Sequence, residues 1–356
     1  GPQQFGLLDP NVAAYPQGYS GSSGYGYVHG GNWPGNFWSR IQRIDFANDT
    51  DITIPKANMA VERGDSCAGV SSPSYGYWGG GTPAPSAGTT VERLDYANDD
   101  ANNLLRGALI TGKMYHHSGV GNANYGYFVG GYGPGPTTMS TYVQRLSYGN
   151  DTAAMVVKGD LSIGRYHAVA AGNQSYGYTA GGSSADAPSP PYGILSSVDR
   201  IDYSNDTPTA VAKGPLSVAR KKLGATSNTD YGWFAGGSTT PSTAGSITTL
   251  DRIDFSSDTT TAPTRGLLSQ RIESPGSTGN RAYGYLIGGY AYEIGAQYGA
   301  SYTRIVRIDY SNDMAMPTWR GQIPVADYRL IAISARANAL PVIGEYFNTI
   351  GSELTP

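Results

Sequence analysis

Four histidines and one cysteine are the side chains of this 356-residue chain best suited to metal, acid–base or nucleophilic chemistry, and their spacing assembles none of it. His29, His116, His117 and His167 are scattered without a metal-ligand spacing. Cys67 falls in a segment that reads as a strand, where a buried small thiol is the ordinary expectation, and alone it forms no intrachain disulfide. There is no Gly-x-Ser-x-Gly elbow, no pair of acids at a defined separation and no glycine-rich phosphate loop leading from a strand into a helix. What the sequence repeats is charge. Arg and Asp stand two residues apart at Arg43/Asp45, Arg93/Asp95, Arg200/Asp202, Arg252/Asp254 and Arg307/Asp309, and Ser147 takes the acid's place after Arg145. On a strand, side chains two apart share a face. A ligand site would use a few such pairs, so recurrence in nearly every copy favours a structural role, with Arg and Asp satisfying backbone groups and each other between sheets. The turn that follows, as in "DYSND" from Asp202, gathers carboxylates but lacks the Gly and closing Glu of a calcium loop, so an Asx-type turn is expected. No cofactor, no metal and no catalytic residue is expected.

The elements that carry these residues recur with a period. "RIDYSNDT" at Arg200 has counterparts at Arg43, Arg93, Arg145, Arg252 and Arg307. A second marker, "YGY" or "YGW", begins at Tyr25, Tyr75, Tyr125, Tyr176, Tyr231 and Tyr283, at spacings of 50, 50, 51, 55 and 52 residues. A glycine doublet follows each: Gly30-Gly31, Gly79-Gly80, Gly130-Gly131, Gly181-Gly182, Gly236-Gly237 and Gly288-Gly289. Each period reads as four strands: one starting near a basic residue (Arg165, Arg220), then "YGYxxGG", then "VxRIDY", then the segment after the Asn-Asp turn. Helical periodicity is absent. A lone four-stranded sheet of about 50 residues leaves both faces wet, and packing six of them around an axis buries both. The fold class is therefore all-β, a six-bladed β-propeller with four antiparallel strands per blade over residues 24–338. Residues 1–23 form an N-terminal extension and 339–356 a C-terminal tail. "RLIAISARAN" from Arg329 matches the first-strand pattern and is expected to close the ring against Tyr25–Gly31. "NVAAYPQGYS" from Asn11 is the weaker candidate for that strand, because Pro16 removes a ladder donor. The Tyr pairs of the "YGY" segments are expected to pack blades.

Bulk composition agrees: 50 Gly, 22 Pro and 28 Tyr suit many short strands and tight turns. Only 14% of residues are charged and the net charge is −3, so no nucleic-acid surface is expected. No apolar run long enough for membrane insertion occurs, and no signal-peptide pattern opens the chain. The sequons at Asn48, Asn150 and Asn205 are by-products of the turn.

A glycine doublet closing an aromatic strand, then "VxRIDY", a polar turn and a later Arg, is similar to the kelch repeat, six times over residues 24–338. Kelch blades usually carry a Trp after the turn, and only Trp319 corresponds. A copper-radical oxidase also uses such blades, with a Cys joined to a Tyr and histidine ligands, and is a distant alternative here. Where the repeats differ is on one rim. From the doublet to the third-strand Arg the chain takes from 12 steps (Gly31 to Arg43) to 18 (Gly182 to Arg200). Those segments hold Trp33, Phe37, Trp38, Tyr132, Tyr142, Tyr192, Tyr290, Tyr292, Tyr298 and Tyr302. Rings among small polar neighbours suit sugar or protein surfaces, and fold back over their own loops equally well. The phrasing "YGYxxGG … VDRIDYSNDT … KGPLSxAR", best in Tyr176 to Arg220, also resembles repeats of virion structural and tail-fibre-like proteins of marine cyanobacterial phages. That resemblance implies a non-enzymatic protein at the virion surface, extracellular, whose rim contacts a host-surface glycan or protein. The alternative is a purely structural propeller that contacts other virion subunits.

Overall fold

The computed structural model describes residues 24–31, 38–64, 67–82, 88–110, 115–132, 139–185, 193–240, 245–291 and 299–342. They form six antiparallel sheets around an axis, a six-bladed β-propeller, with no helix beyond short 3-10 turns among the described residues. In the fourth blade the strands run Val169–Gly172, Tyr176–Ala180, Val198–Asp202 and Val211–Lys213, from the axis outward. The third strand "VDRID" shows why a sheet of this kind needs neighbours: Val198, Asp199 and Ile201 are all buried, on both faces, so there is no polar-out alternation. The core is correspondingly six apolar layers between blades. One joins Tyr27, Ile41, Trp78 and Leu94 of the first two blades, and another joins Val28, Phe46, Tyr285 and Ile305 of the last and the first.

Closure is as expected from the C-terminal segment. Leu330–Ile333 pairs with Tyr25–Gly30 in the register Tyr27↔Ile333 and His29↔Ile331, becoming the innermost strand of the first blade. The competing segment from Asn11, with the whole N-terminal extension, lies outside the described residues. Two details depart from the repeat pattern. In the fifth blade the fourth strand shrinks to an Asp251↔Thr264 bridge, because Pro263 has no N–H to give the ladder and offers only its carbonyl, to Arg252. In the second blade the glycine doublet is Gly80-Gly81 rather than Gly79-Gly80. Three glycines follow one another there, and positive φ falls on the last two (68° and 96°), as it does on both glycines of every other doublet.

The two faces of the disc differ in construction. First-to-second and third-to-fourth connections, including the Asn-Asp turns, lie on one (the turn face). Second-to-third and fourth-to-first connections lie on the other (the loop face). The first strands of successive blades pack side by side and enclose a central channel.

Candidate functional site

On the turn face the repeated charges are consumed by the fold. The third-strand Arg of each blade reaches the turn Asp of the next: Arg43 to Asp99 (2.8 Å), Arg93 to Asp151 (2.8 Å), Arg145 to Asp206 (2.9 Å) and Arg200 to Asp258 (2.7 Å). Arg252 to Asp313 (3.0 Å) and Arg307 to Asp49 (2.8 Å) complete the circle. The same six carboxylates accept a hydrogen bond from the second ring of each "YGY": Tyr27, Tyr77, Tyr127, Tyr178 and Tyr285, with Trp233 Nε1 in the fifth blade. Each also meets a Lys or Arg from the fourth strand, such as Lys56, Lys158 or Arg320. The first Tyr lies under the Arg, with the guanidinium 4.1 to 4.3 Å from the ring centroid in all six blades. Arg and Asp thus pair between blades, as expected, but the acid is that of the turn and not the one two residues after an Arg. Asp45, Asp95, Asp202, Asp254 and Asp309 instead cap their own turn, accepting from the backbone N–H two residues later. Burial alone would raise Asp99 and Asp258; the hydrogen bonds from Tyr27 and Tyr178 and the adjacent cations outweigh it and hold both carboxyls below the usual range.

A second set of ion pairs, unseen in the sequence pattern, pins the loop face. Arg63, Arg165 and Arg220 are fully buried against Glu92, Asp199 and Asp251, at 2.6, 3.2 and 2.9 Å. Arg165 also donates to the Gly181 and Ser197 carbonyls, which tie the glycine doublet to the loop after it. The basic residue expected to start a first strand is thus a clamp standing four residues before it.

Beside these clamps the loop face opens into the channel. A residue one or two positions before the innermost strand takes a left-handed backbone at every described copy, on a non-glycine side chain each time: His116 (φ 57°), His167 (54°), Lys222 (59°), Ser274 (53°) and Arg329 (60°). Among the described residues their backbones are linked in an arc, each N–H donating to the carbonyl of its predecessor: His167 to His116 (3.1 Å), Lys222 to His167 (2.9 Å), Ser274 to Lys222 (2.7 Å) and Arg329 to Ser274 (2.7 Å). The chain therefore holds one backbone geometry and hangs a different side chain on it from blade to blade. His116 and His167, which sequence reasoning left in separate repeats with no relation, stand with ring centroids 3.8 Å apart. Tyr115, Tyr132 and Tyr166 wrap this pair, with centroids 4.8 Å (Tyr115–Tyr132) and 4.4 Å (Tyr132–Tyr166) apart. Burial, followed by the nearby charges of Arg329, Lys222 and Lys221, keeps the His116 imidazole neutral far below its ordinary range, and His167 follows for the same reasons with His116 added.

Below the mouth is a cavity of about 150 Å³, lined by small and apolar inner-strand residues such as Val70, Ala170, Ala225 and Ile331. Its far end is crossed by Asn338, whose carbonyl accepts from Gln174 Nε2 (3.1 Å) and whose side chain accepts from Ser227 Oγ (3.1 Å). Cys67, buried as expected, lines the same cavity. Among the described residues no group of three His, Cys, Asp or Glu side chains is placed to hold a metal, and no helix is long and apolar enough to cross a membrane.

The rim aromatics take separate places. Tyr132 is in the mouth cluster. Tyr142 is exposed at the start of a third strand, Tyr290 packs on Tyr328 at 5.1 Å, and Tyr302 lies half-buried with Arg304 5.8 Å from its ring. Trp38 begins the third strand of the first blade; Trp33, Phe37, Tyr192, Tyr292 and Tyr298 lie outside the described residues.

The sequence matches no protein-family model and no curated protein. Among solved structures it is similar to that of YjhT, with a TM-score of 0.63 at 14% identity, over 76% of this chain and 87% of that one. A likeness at this identity concerns the fold: a six-bladed propeller.

Proposed function

We propose that the protein is a non-enzymatic binding module, a virion or tail-fibre-like surface component, that recognises a host-surface glycan or protein through its loop face. One observation carries this reading. The turn face repeats the same joint of Arg, Asp and an aromatic donor in all six blades, whereas the position around the channel mouth keeps its backbone and changes its side chain from His to Lys, Ser and Arg. Identity from blade to blade is what a scaffold needs, and variation on a fixed frame is what recognition needs. Tyr132, contributed by a variable segment, stands beside that mouth among four other rings, in the arrangement that gives contact area at low entropy cost. A glycan array probed with the whole chain and with Tyr132→Ala tests the proposal. Binding to a restricted set of glycans, reduced at least severalfold by Tyr132→Ala, is the expected result. A blank array, or binding indifferent to Tyr132 and to Trp33→Ala, refutes glycan recognition by this face.

A second reading, a scaffold propeller held among neighbouring subunits, has its own support. The outer strands expose Leu104, Leu105, Val156, Val211 and Trp319 by more than half, at the sheet edges farthest from the axis.

A further inference from the structure

We propose that the channel mouth is a binding well for one small carboxylate-bearing ligand of monosaccharide size, whose carboxylate is held between Arg329 and Lys222 and whose body rests against His116 and His167. The assignment rests on the loop face being a recognition surface and names the chemical class it takes. Three independent features converge. The first is shape: the cavity is narrowed by Asn338, and about 150 Å³ is room for a six-membered ring. Its walls below the mouth mix Ala, Val and Ile with hydroxyls such as Ser118, Thr226 and Ser277, which suits a carbon ring carrying hydroxyls better than a bare inorganic anion. The second is charge. Arg329 and Lys222 project from equivalent positions two blades apart, with Lys221 behind them, and Glu273 grips Lys222 Nζ (3.1 Å) while accepting from Ser246 Oγ (3.3 Å), so the ammonium is oriented before a ligand arrives. A guanidinium presents a planar fork that matches a carboxylate in two hydrogen bonds. The third is an unmet need: both ring nitrogens of His167 are shielded from solvent and make no hydrogen bond within the protein, although the ring lines the cavity. Buried polar atoms of that kind call for an explanation, and a hydroxyl-rich ligand supplies donors and acceptors to both. Left-handed backbone on non-glycine residues at each of these positions is the strain that sites of this kind retain.

The test is a histidine side-chain NMR titration of the whole chain with methyl β-D-glucuronide, and with methyl β-D-glucoside as the neutral match. His116 and His167 are expected to shift with the glucuronide and not with the glucoside, while His29, in the first blade's second strand, stays still. Replacing Arg329 or Lys222 by Asn removes the charge and keeps a residue that accepts positive φ; Lys222→Asn also takes the cation from the buried Glu273 and lowers melting, so affinity is compared well below each variant's own melting temperature, where that for the glucuronide falls about tenfold or more. Equal response to the glucoside, inorganic phosphate binding as tightly as the glucuronide, or affinity unchanged in both Asn variants overturns the assignment. A blank glycan array with a positive titration removes surface recognition and leaves the well. A positive array with silent histidines removes the well and leaves recognition elsewhere on the face.

Discussion

Asp49 is where the circle of turn-face joints closes, and removing it measures what one joint contributes. Its carboxylate is 3% exposed and accepts from Tyr285 OH (2.9 Å), Arg307 Nη1 (2.8 Å) and Arg320 Nε (2.6 Å), all three from the last blade. Asp49→Ala leaves two guanidiniums and a phenol without their acceptor. Breaking a wholly buried pair costs about 3–5 kcal/mol, and an exposed pair is worth about 0–1 kcal/mol. Here the acid is buried while Arg307 and Arg320 are 22% and 29% exposed, so water recovers part of the loss. A cost of about 2–4 kcal/mol follows for Asp49→Ala. Arg307→Met leaves the carboxylate its other two donors and costs about 1 kcal/mol. Asp206→Ala, at a joint inside the chain with equivalent partners Tyr127, Arg145 and Lys158, falls in the same range as Asp49→Ala. Urea unfolding followed by tryptophan fluorescence gives all three. Asp49→Ala below about 1 kcal/mol, or Arg307→Met equal to it, refutes the view that one buried acid serves each joint.

Two further substitutions test the repeat itself by the same unfolding measurement. A Cβ on Gly119 would sit 2.2 Å from the Gly69 carbonyl oxygen of the preceding inner strand, whereas one on exposed Gly149 would meet nothing within 4 Å; Gly119→Ala is therefore expected to cost about 1–3 kcal/mol or more and Gly149→Ala to be neutral or stabilising by up to about 1 kcal/mol. Ser147 makes no side-chain cap where Asp45 accepts from Ala47 N at 2.9 Å, so Ser147→Asp should stabilise by about 0.5–1 kcal/mol, and a loss of stability would show that the third blade's turn has no room for the carboxylate.

Much of this fold was readable because repetition averages out local ambiguity. A single "YGYxxGG" is compatible with many strands, but six at a fixed period admit few architectures, and the match of Arg329–Ser334 to the first-strand pattern identified the closing strand before any coordinates. The partner of each Arg was harder. Pairing between blades was expected for the acid of the strand, yet that acid finds its own turn's N–H first. The true partner is the other acid of the same motif, as Asp49 is to Arg43, displaced by one blade; two acids per motif and one Arg were the available signal. Burial hid Glu92, Asp199 and Asp251, since an acid next to Arg on a strand reads as solvent-facing. His116 and His167 were missed for a different reason. Metal and catalytic spacings are local, whereas in a ring two residues one period apart share a height and meet side by side in adjacent blades. The rim aromatics show the limit of loop composition: it supplied rings without telling which, like Tyr132, would reach the mouth.

The arrangement of the two faces explains why such a chain tolerates variation where it carries it. Every blade is held to the next by a buried acid with three donors, a stacked aromatic pair such as Phe255 on Tyr178 (4.7 Å), and an apolar layer, all at or below the turn face. On the loop face the buried Arg63, Arg165 and Arg220 pairs do the clamping, and at the channel mouth itself the chain needs only backbone: the left-handed residue satisfies its neighbour's N–H with its own carbonyl, and nothing in that bond depends on the side chain. His, Lys, Ser and Arg are therefore interchangeable there as far as the arc of hydrogen bonds is concerned, provided each bears the modest cost of positive φ. A backbone that fixes position while leaving chemistry free is the physical condition for placing several unlike groups within reach of one small ligand. The same condition makes the well separable from the backbone that carries it, so substitutions at Lys222 and Arg329 should alter what is bound while the backbone hydrogen bonds between these positions stay in place.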